Sequence, residues 1–189
     1  MVAELLRRLR RVPNRMLHGS RRRAALASLA ARPTPANVLV LCNGNIFRSP
    51  FAAAALRRAV EASGIRVESA GLMGPGRPSP PDAILAAAER GIDLSAHRSR
   101  PVTSELLRAA DLIVVMDPVQ YRVVREQFGR PSRDIVFLGD LDPEPGAARA
   151  IEDPVEQGPE VCRRVYGRIE RCVTEFVRAL GRLPSARVR

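Results

Sequence analysis

A chain of 189 residues, 46% hydrophobic and 27% charged, suits one compact domain and has no apolar run near the ~20 residues that cross a bilayer. Three cysteines exclude a disulfide scaffold and point to a reducing cytoplasm, while 4% aromatics without Trp argue against a base-stacking nucleic-acid surface. The net charge of +11 sits at the ends: residues 1–33 hold nine Arg against Glu4, residues 182–189 hold three Arg, and residues 34–181 balance 19 Arg with 19 acids.

The chain divides into an Arg-rich arm and linker over 1–35, a domain over 36–181 and a basic tail over 182–189. In the arm, Leu5, Leu6 and Leu9 share a helix face among Arg7, Arg8, Arg10 and Arg11. Pro13 interrupts that helix, and Pro33 and Pro35 mark a linker. Three readings of the arm compete, the third set aside because its apolar run is short and weak. It is a solvated like-charge segment, an interfacial anchor on anionic lipid, or a targeting segment in which Arg21, Arg22 and Arg23 precede the short apolar run 24–31.

From Asn37 the signals alternate. Residues 37–41 (NVLVL) read as a strand buried on both faces, and 50–63 as a helix stopped by Gly64. A strand over 66–70 precedes helices over 81–90 and 103–110. Residues 111–116 (DLIVVM) form the next buried strand, followed by a helix over 118–128 and a strand over 134–138. A loop rich in Asp, Pro and Gly covers 139–156. The last helix runs over 158–180 and buries Val161, Val165, Ile169, Cys172, Phe176 and Leu180. This alternation predicts an α/β fold, a parallel sheet between two helical layers.

Ligands of such sheets sit beyond the carboxyl ends of the strands. The first strand ends in Cys42-Asn43-Gly44-Asn45-Ile46-Phe47-Arg48-Ser49-Pro50. A loop this short, running into a helix with Pro50 in its first turn, can turn its amides inward as an anion cradle. Arg48 adds a planar fork that matches two phosphate oxygens. Cys42 lies at the base, where positive potential favours the thiolate. The set describes a nucleophile aimed at a phosphoryl group already held by its oxygens.

These residues, VLVLCNGNIFRSP, resemble the signature of the low-molecular-weight protein tyrosine phosphatases, a family that includes thioredoxin-coupled arsenate reductases. The resemblance continues through ESAG (68–71), GRP (76–78), RGIDLSAHRSR (90–100), DLIVVMD (111–117) and EDP (152–154). It implies a three-layer αβα sandwich, a sheet of order 2-1-3-4, and phosphomonoester hydrolysis without metal or cofactor. It assigns Cys42 as nucleophile and Arg48 as phosphate clamp. Asn45 and Ser49 then shape the loop and stabilise the thiolate, His97 buttresses Asn45, and Asn43, Gly44, Ile46 and Phe47 complete the phosphate loop. It also implies a bacterial cytoplasmic enzyme acting on a phosphotyrosine protein, such as a tyrosine kinase of polysaccharide export, or on a small aryl phosphate.

The leaving oxygen needs a proton. Three Asp-Pro pairs offer one: Asp117-Pro118, Asp142-Pro143 and Asp153-Pro154. Asp117 also suits a helix cap and Asp142 a structural turn; Asp153, just before the last helix, stands where the family places its acid. Two departures matter. Phe47 stands where many relatives carry a second loop cysteine, and Val155 and Glu156 stand where tyrosine-selective members carry aromatics. Arsenate reduction is the rival activity, yet it needs a thiol relay, and Cys162 and Cys172 lie ten residues apart on one helix. A lipid- or nucleic-acid-binding module with a vestigial site is the non-enzymatic rival.

Overall fold

The computed structural model describes residues 2–181, with side chains from Met16 onward; the basic tail over 182–189 lies outside the described residues. Four strands, β1 (Asn37–Cys42), β2 (Arg66–Gly71), β3 (Leu112–Val115) and β4 (Ile135–Phe137), pair in parallel in the order β2-β1-β3-β4. The expected order is the observed one.

Period-two alternation distributes the strand side chains between two cores. Val38, Val40 and Cys42 of β1 join Leu112 and Val114 of β3 in the larger core. That face is covered by α2 (Arg48–Ala59), α3 (Pro81–Ala88) and α6 (Pro159–Ala179). Leu39, Leu41, Ile113 and Val115 point the other way, onto α4 (Ser104–Ala109) and α5 (Pro118–Glu126). With both faces covered, β1 and β3 read as continuous apolar runs. Cys42 accordingly leaves β1 on the α2 face.

Helix ends follow their local chemistry. Asp117 caps α5 in a capping box with Gln120, and Gly64 and Gly91 take the left-handed conformations that follow α2 and α3 (φ 73° and 69°). The helix expected from residue 50 begins instead at Arg48 and gives way to a 3-10 turn over Glu61–Ser63.

The N-terminal segment departs from expectation. It forms one helix, α1 (Val2–Ala30), that runs through Pro13. Proline forfeits one backbone bond, about 3 kcal/mol at most sites, and good helix formers such as Leu, Arg and Met on both sides carry the helix past it. The second half of α1 is no free linker. Leu29 is fully buried in the larger core, and Ala25 and Leu26 pack against it. Arg21 pairs with the buried Asp140 at 3.3 Å and Arg22 with the buried Glu175. The apolar spacing of Ala25, Leu26 and Leu29 decides the docking; the density of Arg around it hides that strip in the sequence. Leu29→Ala is therefore expected to cost about 2–5 kcal/mol, read as a lower urea midpoint. Met16→Ala, at a side chain 79% exposed, should leave the midpoint in place.

Candidate active site

The loop after β1 is fixed from several directions at once. Asn45, fully buried and left-handed (φ 51°), is its organiser. Its backbone N–H donates to Cys42 Sγ at 3.2 Å. Its side-chain Nδ2 donates to Ser49 Oγ at 2.9 Å and Ser69 Oγ at 3.0 Å, while its Oδ1 accepts from the Arg100 N–H at 3.0 Å. The Asn45 carbonyl meets His97 Nε2 at 2.7 Å. Asn tolerates the left-handed region better than other side chains with this many bonding atoms.

Gly71 at the end of β2 is required by space. A Cβ there would meet Asn43 O at 2.8 Å and Asn45 N at 2.9 Å, so any side chain would push the loop off its register. Arg77 Nη2 donates to the Gly44 carbonyl at 3.1 Å. Phe47 is buried in the core, and its carbonyl accepts from the Tyr166 hydroxyl at 3.1 Å. Tyr166 stacks on Phe51 at 3.9 Å, and burial pushes its pKa up, so it stays a donor.

Cys42 is 2% exposed, and its Sγ lies 3.0 Å from Ser49 Oγ. The Asn45 amide and the Ser49 hydroxyl thus both meet the sulfur at the base of the loop. The start of α2 carries no side-chain cap, leaving the first-turn amides to an anion.

Arg48 is 2% exposed. Nη1 donates to Asp117 Oδ2 at 3.2 Å and the Ile151 carbonyl at 2.9 Å, and Nη2 pairs with Asp153. Its Nε is buried with no hydrogen-bond partner among the described residues. A buried guanidinium donor is costly to leave unpaired, and an acceptor oxygen at this point would satisfy it.

The three Asp-Pro candidates separate cleanly. Asp117 caps α5, as its position at the strand end suggests, and in addition holds Arg48. Asp142, 1% exposed, is bound by Arg168 at 2.8 Å and Arg171 at 3.4 Å; it is a structural anchor between its loop and α6. Asp153 is the most open of the three, its side chain 35% exposed against 15% for Asp117, and it too reaches Arg48. Ile151, two residues earlier, donates its N–H to Met116 O at 2.8 Å, which ties the acid-bearing loop to the end of β3.

Sequence reasoning missed Gln120. It is fully buried, accepts from the Met116 and Asp117 amides at 2.9 Å each, and donates to Asn43 Oδ1 at 2.8 Å and Asp117 Oδ2 at 2.6 Å. It thus joins the α5 corner to the phosphate loop. The Asp-x-x-Gln spacing of a capping box was its available signal. Ser69, Arg77 and Arg100 were visible only as members of the resembling segments. Cys162 and Cys172 are both fully buried, with thiols pushed up to about 11 and about 12, first by burial. Neither is placed or poised to relay a disulfide outward.

Burial, reinforced by Arg57, Arg98 and Arg100, holds the His97 pKa below the ordinary 6.5. The unfolded chain then takes up a proton that the folded chain resists. The contribution of His97 to stability is complete above about 6.5 and is lost as pH falls toward the folded value. The urea midpoint is expected to drop from pH 7.5 to 5.5, and His97→Gln, which keeps a donor for the Asn45 carbonyl, should flatten that drop.

Comparison with known proteins agrees with this geometry. A sequence model described as "Low molecular weight phosphotyrosine protein phosphatase" matches residues 37–185. The chain is 36% identical over 148 residues to the "Probable low molecular weight protein-tyrosine-phosphatase EpsP" of Ralstonia solanacearum, covering 76% of this chain and 97% of that protein. It is 32% identical over 148 residues to a "Protein-arginine-phosphatase" of Bacillus subtilis, covering 71% and 97%. The crystal structure of the Erwinia amylovora tyrosine phosphatase amsI superposes with a TM-score of 0.72 at 27% identity, covering 80% of this chain and 97% of that one. With a family model spanning nearly four fifths of its length and the loop from Cys42 to Ser49 built as described, the chain belongs to the low-molecular-weight phosphotyrosine protein phosphatase family.

Proposed function

We propose that the protein hydrolyses phosphotyrosine in proteins through a phosphocysteine at Cys42, working at an anionic membrane surface. The observation that carries the chemistry is the convergence of Cys42, the unpartnered Nε of Arg48 and Asp153 at the β1–α2 corner. Arg48 and the loop amides receive the phosphoryl oxygens. The Cys42 thiolate attacks phosphorus, forming the S–P bond as the P–O bond to the phenol breaks, and Asp153 delivers its proton to the departing oxygen. A phosphate dianion on Arg48 takes over the charge that pairs with Asp153, freeing that carboxyl group to carry the proton. In the second step Asp153 takes a proton from water, which attacks phosphorus; the P–S bond breaks, releasing phosphate and the thiolate.

Met73 and Val155, 58% and 43% exposed, supply apolar surface beside the loop and the acid. A thioether edge against an aromatic ring is a favourable contact, so a phenyl group has a surface here without aromatic walls. The family resemblance favours as partner a bacterial tyrosine kinase of polysaccharide export.

The test mixes reduced protein with a phosphotyrosine peptide, quenches within one turnover and maps the phosphoryl group by mass spectrometry. Label on Cys42 is expected; turnover with label elsewhere or with none overturns the mechanism. A phosphoarginine peptide hydrolysed faster than the phosphotyrosine peptide overturns the substrate class and leaves the cysteine chemistry standing.

A further inference from the structure

The described residues from 142 to 158, which carry Asp153, form no helix or strand, so their backbone groups need partners from elsewhere. Guanidinium groups supply them. Arg168 of α6, itself held by Asp142 at 2.8 Å, donates to the Ala148 carbonyl and, at 2.9 Å, to the Ala150 carbonyl. Arg48 takes the Ile151 carbonyl at 2.9 Å, and Arg21 of α1 reaches the Ala147 carbonyl at 3.5 Å. Four carbonyls within five residues thus meet arginines from three helices.

Arg21 grips this segment in a second way. Asp140, its side chain 6% exposed, lies between Arg21 Nε at 3.3 Å and Arg149 Nη2 at 2.9 Å. Arg149 belongs to the same loop, and its guanidinium also covers the Phe137 ring at 4.3 Å. The backbones beneath are in close contact, for a Cβ on Gly139 would overlap the Arg149 carbonyl. Asp140 therefore ties α1 to the loop through charge-assisted pairs on both sides. A few residues further on, Asp153 pairs with Arg48. Arg22, next on α1, makes the matching contact elsewhere: it pairs with Glu175 of α6, which Arg178 also holds. Both arginines dock the same helix; Arg21 adds the grip on the acid-bearing loop.

We infer that Arg21 is a positioning residue for the general acid. Helix α1, outside the region from residue 37 that the family model matches, then helps set where Asp153 meets the leaving oxygen. This role rests on the reading of Asp153 as proton donor. A general acid works within hydrogen-bond reach of the departing atom, and a misplacement of about 1 Å can cost roughly 100-fold.

The test compares kcat/KM on phenyl phosphate, whose leaving oxygen needs a proton, with kcat/KM on a dinitrophenyl ester, whose leaving oxygen does not. Arg21→Met keeps the unbranched stem and removes the guanidinium, while Asp140 retains Arg149. It should lower the phenyl phosphate value about three- to tenfold and the dinitrophenyl value by less than about twofold. Arg21→Lys, which returns a cation to Asp140, should recover most of that loss. Arg22→Met should lower the urea midpoint and leave the ratio of the two esters at the parental value. Should Arg21→Met fold poorly by circular dichroism, Arg21→Gln carries the same expectation. A parental ratio in the Arg21 variants, with Asp153→Asn shifting it, overturns the role of Arg21 alone. Equal shifts in Arg21→Met and Arg22→Met overturn it too, because loosened docking then accounts for both. A parental ratio in Asp153→Asn removes the proton donor, and with it anything for Arg21 to position.

Discussion

Cys42→Ser is expected to lower hydrolysis of a chromogenic aryl phosphate by roughly four orders of magnitude or more, the scale seen when a covalent nucleophile is removed. The substitution keeps shape and burial, and the serine hydroxyl can still accept from the Asn45 amide and meet Ser49. What is lost is the sulfur nucleophile: a serine hydroxyl is far less acidic than any thiol and stays a neutral, weak nucleophile at neutral pH. No other thiol can substitute, because Cys162 and Cys172 are buried and their thiols are pushed up to about 11 and about 12. Thermal stability close to the parent's, with phosphate still binding, would show that the site is intact. A variant retaining more than a few per cent of parental turnover would remove Cys42 from the mechanism and return the question to a binding role.

The phosphate loop was legible because its determinants are adjacent in sequence. A buried strand, a cysteine at its end and a Pro-bearing helix start leave little freedom over residues 42–50, and the register of β1 follows from Val38, Leu39, Val40 and Leu41 having both faces covered. The supports of that loop were not legible from the residues themselves. Gln120, Ser69, Arg77 and the Arg100 amide reach it from separate strand ends and turns, and no local periodicity records which ends meet. The double service of Asp117, capping α5 with one oxygen and holding Arg48 with the other, has the same origin. In α1 the failure has another cause. The charge of the segment suggested solvent, whereas Leu29 and the buried acids Asp140 and Glu175 fix its second half to the domain. Charge density describes a segment's average surroundings; docking depends on one strip of its surface.

The three Asp-Pro pairs carry the same lesson into chemistry, since identical dipeptides acquire different work from their neighbours. Asp142 lies between two guanidinium groups of α6 and Asp117 within a cap, so neither is free to exchange protons with a substrate. Asp153 is partly open on a loop tied to β3 through Ile151. Asp153→Asn is expected to slow hydrolysis of phenyl phosphate or a phosphotyrosine peptide by roughly 10²–10³, within the range for general acids. A dinitrophenyl ester, whose leaving oxygen departs without a proton, should lose less than tenfold. Asp142→Asn should do the opposite: it removes the buried charge that pairs with Arg168 and leaves Arg171 only its pair with the exposed Glu144, which lowers the urea midpoint, while the ratio of rates on the two esters stays as in the parent. The ratio is the discriminating quantity, because a merely distorted site slows both esters alike. An equal loss on both in Asp153→Asn would assign Asp153 to positioning Arg48, with which it pairs, and the proton would have to come from another donor.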